Sequence, residues 1–304
     1  MDERLRREER DSDADKNDAA ALAAFLSQRQ RRGETAADLA GKLAEYAQDT
    51  RKGAYSLLAM NEDQQVLQEA LILFGQQIDQ ARELAIQPRE GDAPLPEREV
   101  ILQSIQRTLT ADQARVFLNK KEVHEPRLIL VPVTSVERYI EALQQASESM
   151  EGARRPDFED FARVQLRTLA TQAQVEGNKI KKWKFAITEG AQIFPVPTWD
   201  NGQGEFRERI EQFDRHYALR NISRLNSPSY LALMNQGLRQ GKPIDIEQYT
   251  LLYETGEETI EGITYDLIVH GDCLNSRHVS LRKNYGGNLD LRARFRPAVM
   301  GDIQ

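Results

Sequence analysis

The pattern of apolar and polar residues predicts a helical first third of this chain. Between 61 and 85, apolar residues recur every three or four positions, which is typical of an amphipathic helix. Asn61 is suited to cap this helix, and Gln64 stands three residues later, as in a capping box. A similar pattern before it predicts an antiparallel helical hairpin over 19–87. The apolar positions of the clearest helix are Val66, Leu67, Ala70, Leu71, Phe74, Ile78 and Ala81.

Two segments without a helical or strand pattern divide the chain further. Residues 1–18 mix both charge signs with almost no apolar residue, which predicts a disordered or frayed charged arm. Residues 88–96 contain three prolines and one glycine, so we expect a linker there. The predicted organisation is therefore an arm, a helical hairpin or bundle over 19–87, a linker, and an α+β domain over 97–304.

Strand-like patterns enter after the linker. Leu128–Val133 is a short apolar run that predicts a buried strand, and Pro132 within it indicates that the strand lies at a sheet edge or ends early. Ser135 is placed to begin the next helix. In 178–188 apolar and polar residues alternate, which predicts a half-buried strand. The alternating apolar residues are Trp183, Phe185 and Ile187.

Helices are predicted on either side of this second strand. One lies between Pro156 and Gly177, and others over about 203–222 and 228–240. The last of these has Ser227 as its expected cap, Pro228 in its first turn and Gly241 as its stop. The apolar positions of the helix after Pro156 are Phe158, Phe161, Val164 and Leu169.

The last sixth of the chain is β-rich. Tyr249–Glu254 and Ile260–Val269 flank a Thr-Gly-Glu-Glu segment that predicts a hairpin turn, and Val279–Lys283 and Leu289–Phe295 flank a second turn. The predicted fold class is α+β, with a helical N-terminal half followed by a mixed region that ends in an antiparallel β meander of about four strands.

Composition restricts the functional classes. The net charge is −7, which gives no overall attraction to nucleic acid or to anionic membranes. A single cysteine excludes an intrachain disulfide framework and is typical of a reducing compartment. The charged N-terminus does not resemble a secretory signal, and no apolar run approaches a membrane span. We therefore expect a cytoplasmic protein with no membrane partner.

Val269–Val279 gathers the largest number of reactive side chains. His270, Asp272, Cys273 and His278 are all able to bind a metal, and Cys273 is the only thiol. A free cysteine is more often a small buried residue than a nucleophile, and ligands from one loop with one cysteine are unusual for zinc. Our interpretation is a loop between strands that does no chemistry, with no metal, no cofactor and no catalytic residue.

A local resemblance supports a different hypothesis for the same stretch. His270-Gly271-Asp272 resembles the catalytic-loop triplet of aminoglycoside phosphotransferase-like kinases. Such a resemblance implies phosphate transfer with Asp272 at the reacting centre. The sequence departs from that pattern because Arg277 stands where the loop asparagine is expected, and no glycine-rich phosphate loop is evident upstream.

A basic strand face predicts another type of site. Arg292, Arg294 and Arg296 alternate with apolar residues, so on a strand they would share one face and would be able to follow the phosphates of a nucleic-acid backbone. The stripe could equally meet an acidic surface of the same chain or of a partner, and a solvated strand face is the simpler interpretation. The other candidate nucleic-acid-binding residues are Arg282, Lys283, Lys182, Lys184 and Trp183.

Three functions remain open from the sequence. The leading one is a non-enzymatic interaction or assembly subunit, with protein partners and oligomer formation, because long amphipathic helices are present and catalytic signatures are not. The first alternative is a nucleic-acid-binding accessory protein that uses the basic strand face. The second is a metal- or phosphate-dependent enzyme centred on 270–278.

Overall fold

A computed structural model describes residues 62–148, 156–192, 206–245, 248–260, 263–274, 278–285 and 292–304. Helices and strands are mixed in it, so the chain is an α+β protein, as predicted. The helices are α1 Glu62–Leu84, α2 Arg98–Thr108, α3 Ala111–Leu118, α4 Val136–Ser147, α5 Asp160–Gln172, α6 Phe206–Tyr217 and α7 Ser227–Arg239. The strands are β1 Pro126–Val133, β2 Asp157–Phe158, β3 Lys182–Glu189, β4 Ser223–Arg224, β5 Tyr249–Ile260, β6 Ile263–Leu274, β7 His278–Tyr285, β8 Ala293–Arg294 and β9 Pro297–Asp302.

The chain divides into two compact units, residues 1–69 and residues 70–304. Only 62–69 of the first unit are among the described residues, so the predicted arm, the cap at Asn61 and most of the predicted helical hairpin lie outside them. The predicted linker, 88–96, lies within the second unit and contains neither helix nor strand. The domain organisation stays a prediction.

The first sheet has the strand order β1-β3-β9-β4, and every neighbouring pair is antiparallel. Strand β1 lies at the edge, as Pro132 predicted, because proline cannot donate to a second neighbour. Strand β3 alternates only at its start, where Lys182 is exposed and Trp183 is buried. From Phe185 onward it is buried on both faces, so the prediction of a half-buried strand is wrong for its second half.

Helix α7 forms the apolar centre that packs on this sheet. It contacts β1 and α4, and all of its residues except Pro228 and Arg239 are buried. Its N-cap is Asn226, whose side chain accepts a hydrogen bond from the Ser229 N–H, so the predicted cap at Ser227 is wrong by one residue. Gly241 follows the helix with a φ of +67°, a conformation that glycine adopts without strain.

The second sheet has the order β2-β7-β6-β5-β8 and contains the predicted meander. Strands β5, β6 and β7 are consecutive and antiparallel, whereas β2 and β8 are two-residue strands that pair in parallel at the two edges. The predicted fourth antiparallel strand is therefore wrong. The chain after β8 leaves this sheet and inserts β9 into the first one.

The predicted hairpin turn after Glu254 is also wrong. Thr255–Glu258 lies within β5, and the connection to β6 is 261–262, because Ile260 pairs with Ile263. The register shifts between Leu251 and Thr255, so β5 carries a bulge there. The extra residues pair elsewhere: the Tyr253 N–H donates to the Leu225 carbonyl oxygen, just before α7. The bulge thus links the meander to the start of the central helix.

No helix in the described part of the chain combines the length and the apolar character that a bilayer crossing needs.

Candidate functional site

The stretch with the most reactive side chains is a strand over much of its length. His270 and Asp272 lie in β6, so the expectation of a loop at these positions is wrong. Residues two apart share one face of a strand, and His270 Nε2 is 3.7 Å from Asp272 Oδ2. On β7, Arg282 pairs with His270 and Ser280 with Asp272, and the Ser280 hydroxyl donates to Asp272 Oδ1 at 2.6 Å. We call His270, Asp272 and Ser280 the β6–β7 polar cluster.

The order of groups in this cluster does not suit nucleophilic catalysis. A triad needs an imidazole between the hydroxyl and the carboxylate, so that the base takes the hydroxyl proton. Here the carboxylate of Asp272 lies between Ser280 and His270, and the Ser280 proton is directed to the carboxylate. The arrangement therefore satisfies a buried hydroxyl rather than activating it.

The surroundings of His270 lower the pKa of its imidazole. Burial lowers the pKa of His270, the charge of Asp272 opposes that change, and the charge of Arg282 lowers the pKa further. The ring lies 5.0 Å from the Tyr249 ring, and its Nδ1 has no hydrogen-bond partner among the described residues. The half-buried imidazole is therefore a packed strand residue whose Nδ1 lacks a hydrogen-bond partner among the described residues.

The structure does not test whether the other two candidate ligands join the cluster. Cys273 pairs with Val279, and His278 pairs with Leu274 near the end of the hairpin. The side chains of Cys273 and His278 lie outside the described residues. Within the described part of the chain, no three histidine, cysteine, aspartate or glutamate side chains converge as a metal site would require. Metal binding by the four residues stays untested.

Gly271 has a packing role. A Cβ atom built at this position would lie 2.1 Å from Tyr230 Cε1, and Tyr230 is fully buried on α7. Only a residue without a side chain lets the tyrosine ring lie against the β6 backbone. Gly271 therefore serves the contact between the meander and the central helix.

The three arginines near the end of the chain do not form one exposed face. Arg292 is exposed, but Arg294 is 8% exposed and Arg296 is 0% exposed. Strand β8 contains only Ala293–Arg294, so the strand pattern ends before Arg296. The prediction of an exposed arginine stripe is wrong, because two of its members point into the protein.

Arg296 is held by a dense set of acceptors. Its guanidinium forms an ion pair with Asp245 at 2.6 Å, and both side chains are fully buried. It also donates to Thr250 Oγ1 at 2.9 Å and to the backbone oxygens of Glu189 and Ala191 at 2.7 and 3.1 Å. The Thr250 hydroxyl in turn donates to the second Asp245 oxygen at 2.6 Å. A buried charge with this number of partners joins the first sheet to β5.

The remaining basic candidates are dispersed. Lys182 and Lys184 both lie near Asp302, at 3.2 and 3.5 Å from its Oδ1, and these contacts lower the pKa of Asp302 against the opposing effect of its burial. Trp183 is buried and donates to the Ala93 carbonyl oxygen, so its ring offers no exposed stacking face. Arg282 is half-buried, and the Lys283 side chain lies outside the described residues.

Sequence reasoning missed the role of Glu254. Both of its carboxylate oxygens accept the Ser227 N–H, at 2.8 and 3.0 Å, at the N-terminus of α7. Burial raises the pKa of Glu254, whereas the hydrogen bonds from Ser227 and the charge of Arg224 oppose that rise. The β5 bulge delivers this carboxylate to the positive end of the helix. No local pattern signals the contact, because it depends on a strand irregularity.

Helix α5 presents a different kind of surface. Among its thirteen residues, Ala162 and Leu166 are buried, whereas Val164 is 53% and Leu169 is 37% exposed. The predicted apolar positions Val164 and Leu169 are thus on the wrong side for core packing. A shallow groove of about 280 Å³ runs along the exposed face. We call its lining residues, Val164, Arg167, Thr168, Thr171 and Gln172, the α5 surface.

Together these features describe an α+β protein in which buried polar groups connect two sheets and the central helix α7. Helix α5 lies beside them with one exposed face. Comparisons with protein-family models, with curated proteins and with solved structures gave no match.

Proposed function

We propose that this protein is a non-enzymatic subunit of a larger assembly and that it binds a partner protein through the α5 surface. The observation that carries the proposal is the exposure of Val164 on a helix that buries only Ala162 and Leu166. When a partner removes an apolar side chain at a groove from water, the burial stabilises the complex.

The residue types on this face support the proposal. Val164, Thr168 and Thr171 are spaced by four and three positions and therefore share one side of α5. β-Branched residues form helices less readily than lysine, glutamate or glutamine do. A helix face that only meets solvent would favour those polar residues over valine and threonine. The Thr168 hydroxyl also donates a hydrogen bond to the Val164 carbonyl oxygen at 2.9 Å. Its polar atom is therefore directed to the backbone, and its methyl group is the part that faces outward.

The polar groups elsewhere support a structural rather than a catalytic use. The β6–β7 polar cluster has the wrong order for a nucleophile and base, and Arg296 is saturated by internal acceptors. The nucleic-acid alternative retains Arg292, Lys182 and Lys184 as exposed or partly exposed cations, without a common strand face. A cytoplasmic location is part of the same proposal.

The test compares two single substitutions in the full chain. Val164→Glu places a charge in the groove while keeping a good helix former, so the helix itself should remain. Leu219→Glu is the matched control, because Leu219 is 99% exposed and lies outside α5. Size-exclusion chromatography with light scattering, on protein isolated from its native source, reports the mass of the assembly.

We expect Val164→Glu to reduce the assembly to the mass of the single chain and Leu219→Glu to leave it unchanged. Circular dichroism checks that both variants keep their helix content. An assembly that survives Val164→Glu at unchanged mass, with the fold intact, contradicts the proposal.

A further inference from the structure

We propose that the α5 surface binds a cationic amphipathic helix of the partner. The apolar side chains of that helix would cover the groove, and its lysine or arginine side chains would lie beside the N-terminal end of α5. This inference rests on the proposed function and specifies the chemistry of the partner segment.

The N-terminal end of the groove is acidic. A second, wider depression of about 750 Å³ adjoins the first and shares Arg167 with it. Its lining includes the carboxylates of Asp157, Glu159 and Asp160, together with Arg163. Asp157 and Asp160 are both exposed, so their charges face solvent and any incoming partner.

The two arginines of this depression have local carboxylate or carbonyl contacts. Arg163 Nε donates to the Phe158 carbonyl oxygen at 2.7 Å, which fixes its side chain beside β2. Arg167 lies 3.7 Å from Glu137 of α4, and both side chains are largely exposed. With Glu137 included, carboxylates outnumber guanidinium groups among the described residues around the groove, and the net charge of the whole chain is also negative.

The shape of the groove favours a helix as the bound element. Val164, Thr168 and Thr171 form one row along α5, and this row spans about 11 Å, or two helical turns. Their small side chains let a second helix approach closely, in the way that ridges of one helix enter the grooves of another. A partner helix with two or three apolar residues spaced by three and four positions would cover the row.

The charge arrangement determines where the partner helix carries its cationic side chains. Asp160 begins α5 and Asp157 precedes it on β2, so both acids lie at one end of the apolar row. Cations on the partner would meet these carboxylates at the rim, where exposed charges add specificity and speed of association more than affinity. The contact is expected to weaken with salt, because the rim charges are screened.

The experiment uses the full chain and two synthetic helical peptides. Both peptides carry leucines at the same spacing of three and four residues, and one has lysines where the other has glutamates. Binding is measured by fluorescence anisotropy at about 50 mM and about 500 mM salt. We expect the lysine peptide to bind, with weaker binding at high salt, and the glutamate peptide not to bind.

Two substitutions that each remove one carboxylate charge test the contribution of the acidic rim separately from that of the apolar row. Asp157→Asn changes a residue outside α5, so it leaves the helix intact, and we expect it to weaken lysine-peptide binding about threefold. Asp160→Asn is expected to have a similar effect. Asp214→Asn, an exposed aspartate on α6, is the matched control and should leave binding unchanged.

The outcomes distinguish this inference from the proposed function. Equal binding of both peptides, preference for the glutamate peptide, no binding of either, or no effect of Asp157→Asn and Asp160→Asn overturns the inference. If Val164→Glu still dissociates the native assembly in those cases, the proposed function stands with a partner of other chemistry, such as a second copy of this chain. If Val164→Glu changes neither the assembly nor peptide binding, both fall.

Discussion

The side-chain amide of Gln77 on α1 hydrogen-bonds to the backbone of Leu128 at the outer edge of β1. Gln77 Oε1 accepts the Leu128 N–H at 2.7 Å, and Gln77 Nε2 donates to the Pro126 carbonyl oxygen at 3.0 Å. Gln236 of α7 donates to the Leu128 carbonyl oxygen at 3.3 Å. Side-chain amides thus occupy backbone positions that a further strand would otherwise bond, which protects the edge from pairing with another chain.

Replacing Gln77 with alanine should destabilise the protein. Gln77→Ala leaves the Leu128 N–H and the Pro126 carbonyl oxygen without this partner, and we expect the free energy of unfolding to fall by about 1–3 kcal/mol. Gln76→Ala is the control, because Gln76 is the same residue type and is exposed on the same helix. Urea unfolding followed by circular dichroism measures both variants; an equal effect of the two would show that the edge contact contributes nothing.

Gly271 and Gly75 should respond in opposite directions to alanine. Gly271→Ala places a methyl group within the ring of Tyr230, so we expect a loss of about 1–3 kcal/mol or more from overpacking. Gly75 lies in α1 with its nearest neighbour, Leu102, at an ordinary 3.7 Å, so Gly75→Ala should stabilise by about 0.5–1 kcal/mol. Thermal unfolding of the two variants provides the measurement. A stabilising Gly271→Ala would contradict the close contact.

Arg296 and Arg292 should differ sharply when each becomes methionine. Arg296→Met leaves the Asp245 carboxylate buried without its cation, and we expect a loss of about 3–5 kcal/mol of unfolding free energy. Arg292 is exposed, and Arg292→Met should change stability by less than about 0.5 kcal/mol. Chemical denaturation compares them. Similar small effects would restore the interpretation of an exposed arginine face.

His270 should make stability depend on pH. Its pKa is lower in the folded protein than its ordinary value of 6.5, so the unfolded chain binds more protons between those two values. The stabilising contribution is therefore present above about pH 6.5 and is lost as pH falls through the folded-state pKa. We expect the wild-type protein to lose more stability than His270→Gln between about pH 8 and about pH 5.

Denaturation at both pH values gives the difference between the two proteins directly. Parallel pH dependences of the wild-type protein and His270→Gln would show that the imidazole titrates equally in the folded and unfolded states.

Elements with a strong local signal were predictable from the sequence. The helix containing Phe74 and Ile78 forms as α1, because its apolar residues repeat with the helical period. Strand β1 and its edge position follow from a short apolar run that contains Pro132. Ser135 caps α4 by accepting the Arg138 N–H, as its residue type and position predicted. In each case the signal that predicts the element lies within the element or directly beside it.

Features that depend on distant partners were not predictable. The alternation around Arg294 and Arg296 resembles a strand with one charged face, but Asp245 and the Glu189 carbonyl oxygen lie far away in sequence. The period of α5 was assigned to the wrong face, because Val164 and Leu166 are both apolar and only the packed fold shows that Leu166 is buried. Strand β9 was missed because its six residues acquire their pattern only between β3 and β4.

Strand β9 occupies an inner position of the first sheet, although β3 precedes it by a long stretch of chain. While the protein is being synthesised, β3 leaves the ribosome well before the residues that will bond to its second edge. Until they emerge, the nascent chain exposes an apolar, two-sided strand with one row of amides open. Slow translation between these two segments should therefore lower the yield of native protein, and a chaperone that shields extended apolar chain should restore it.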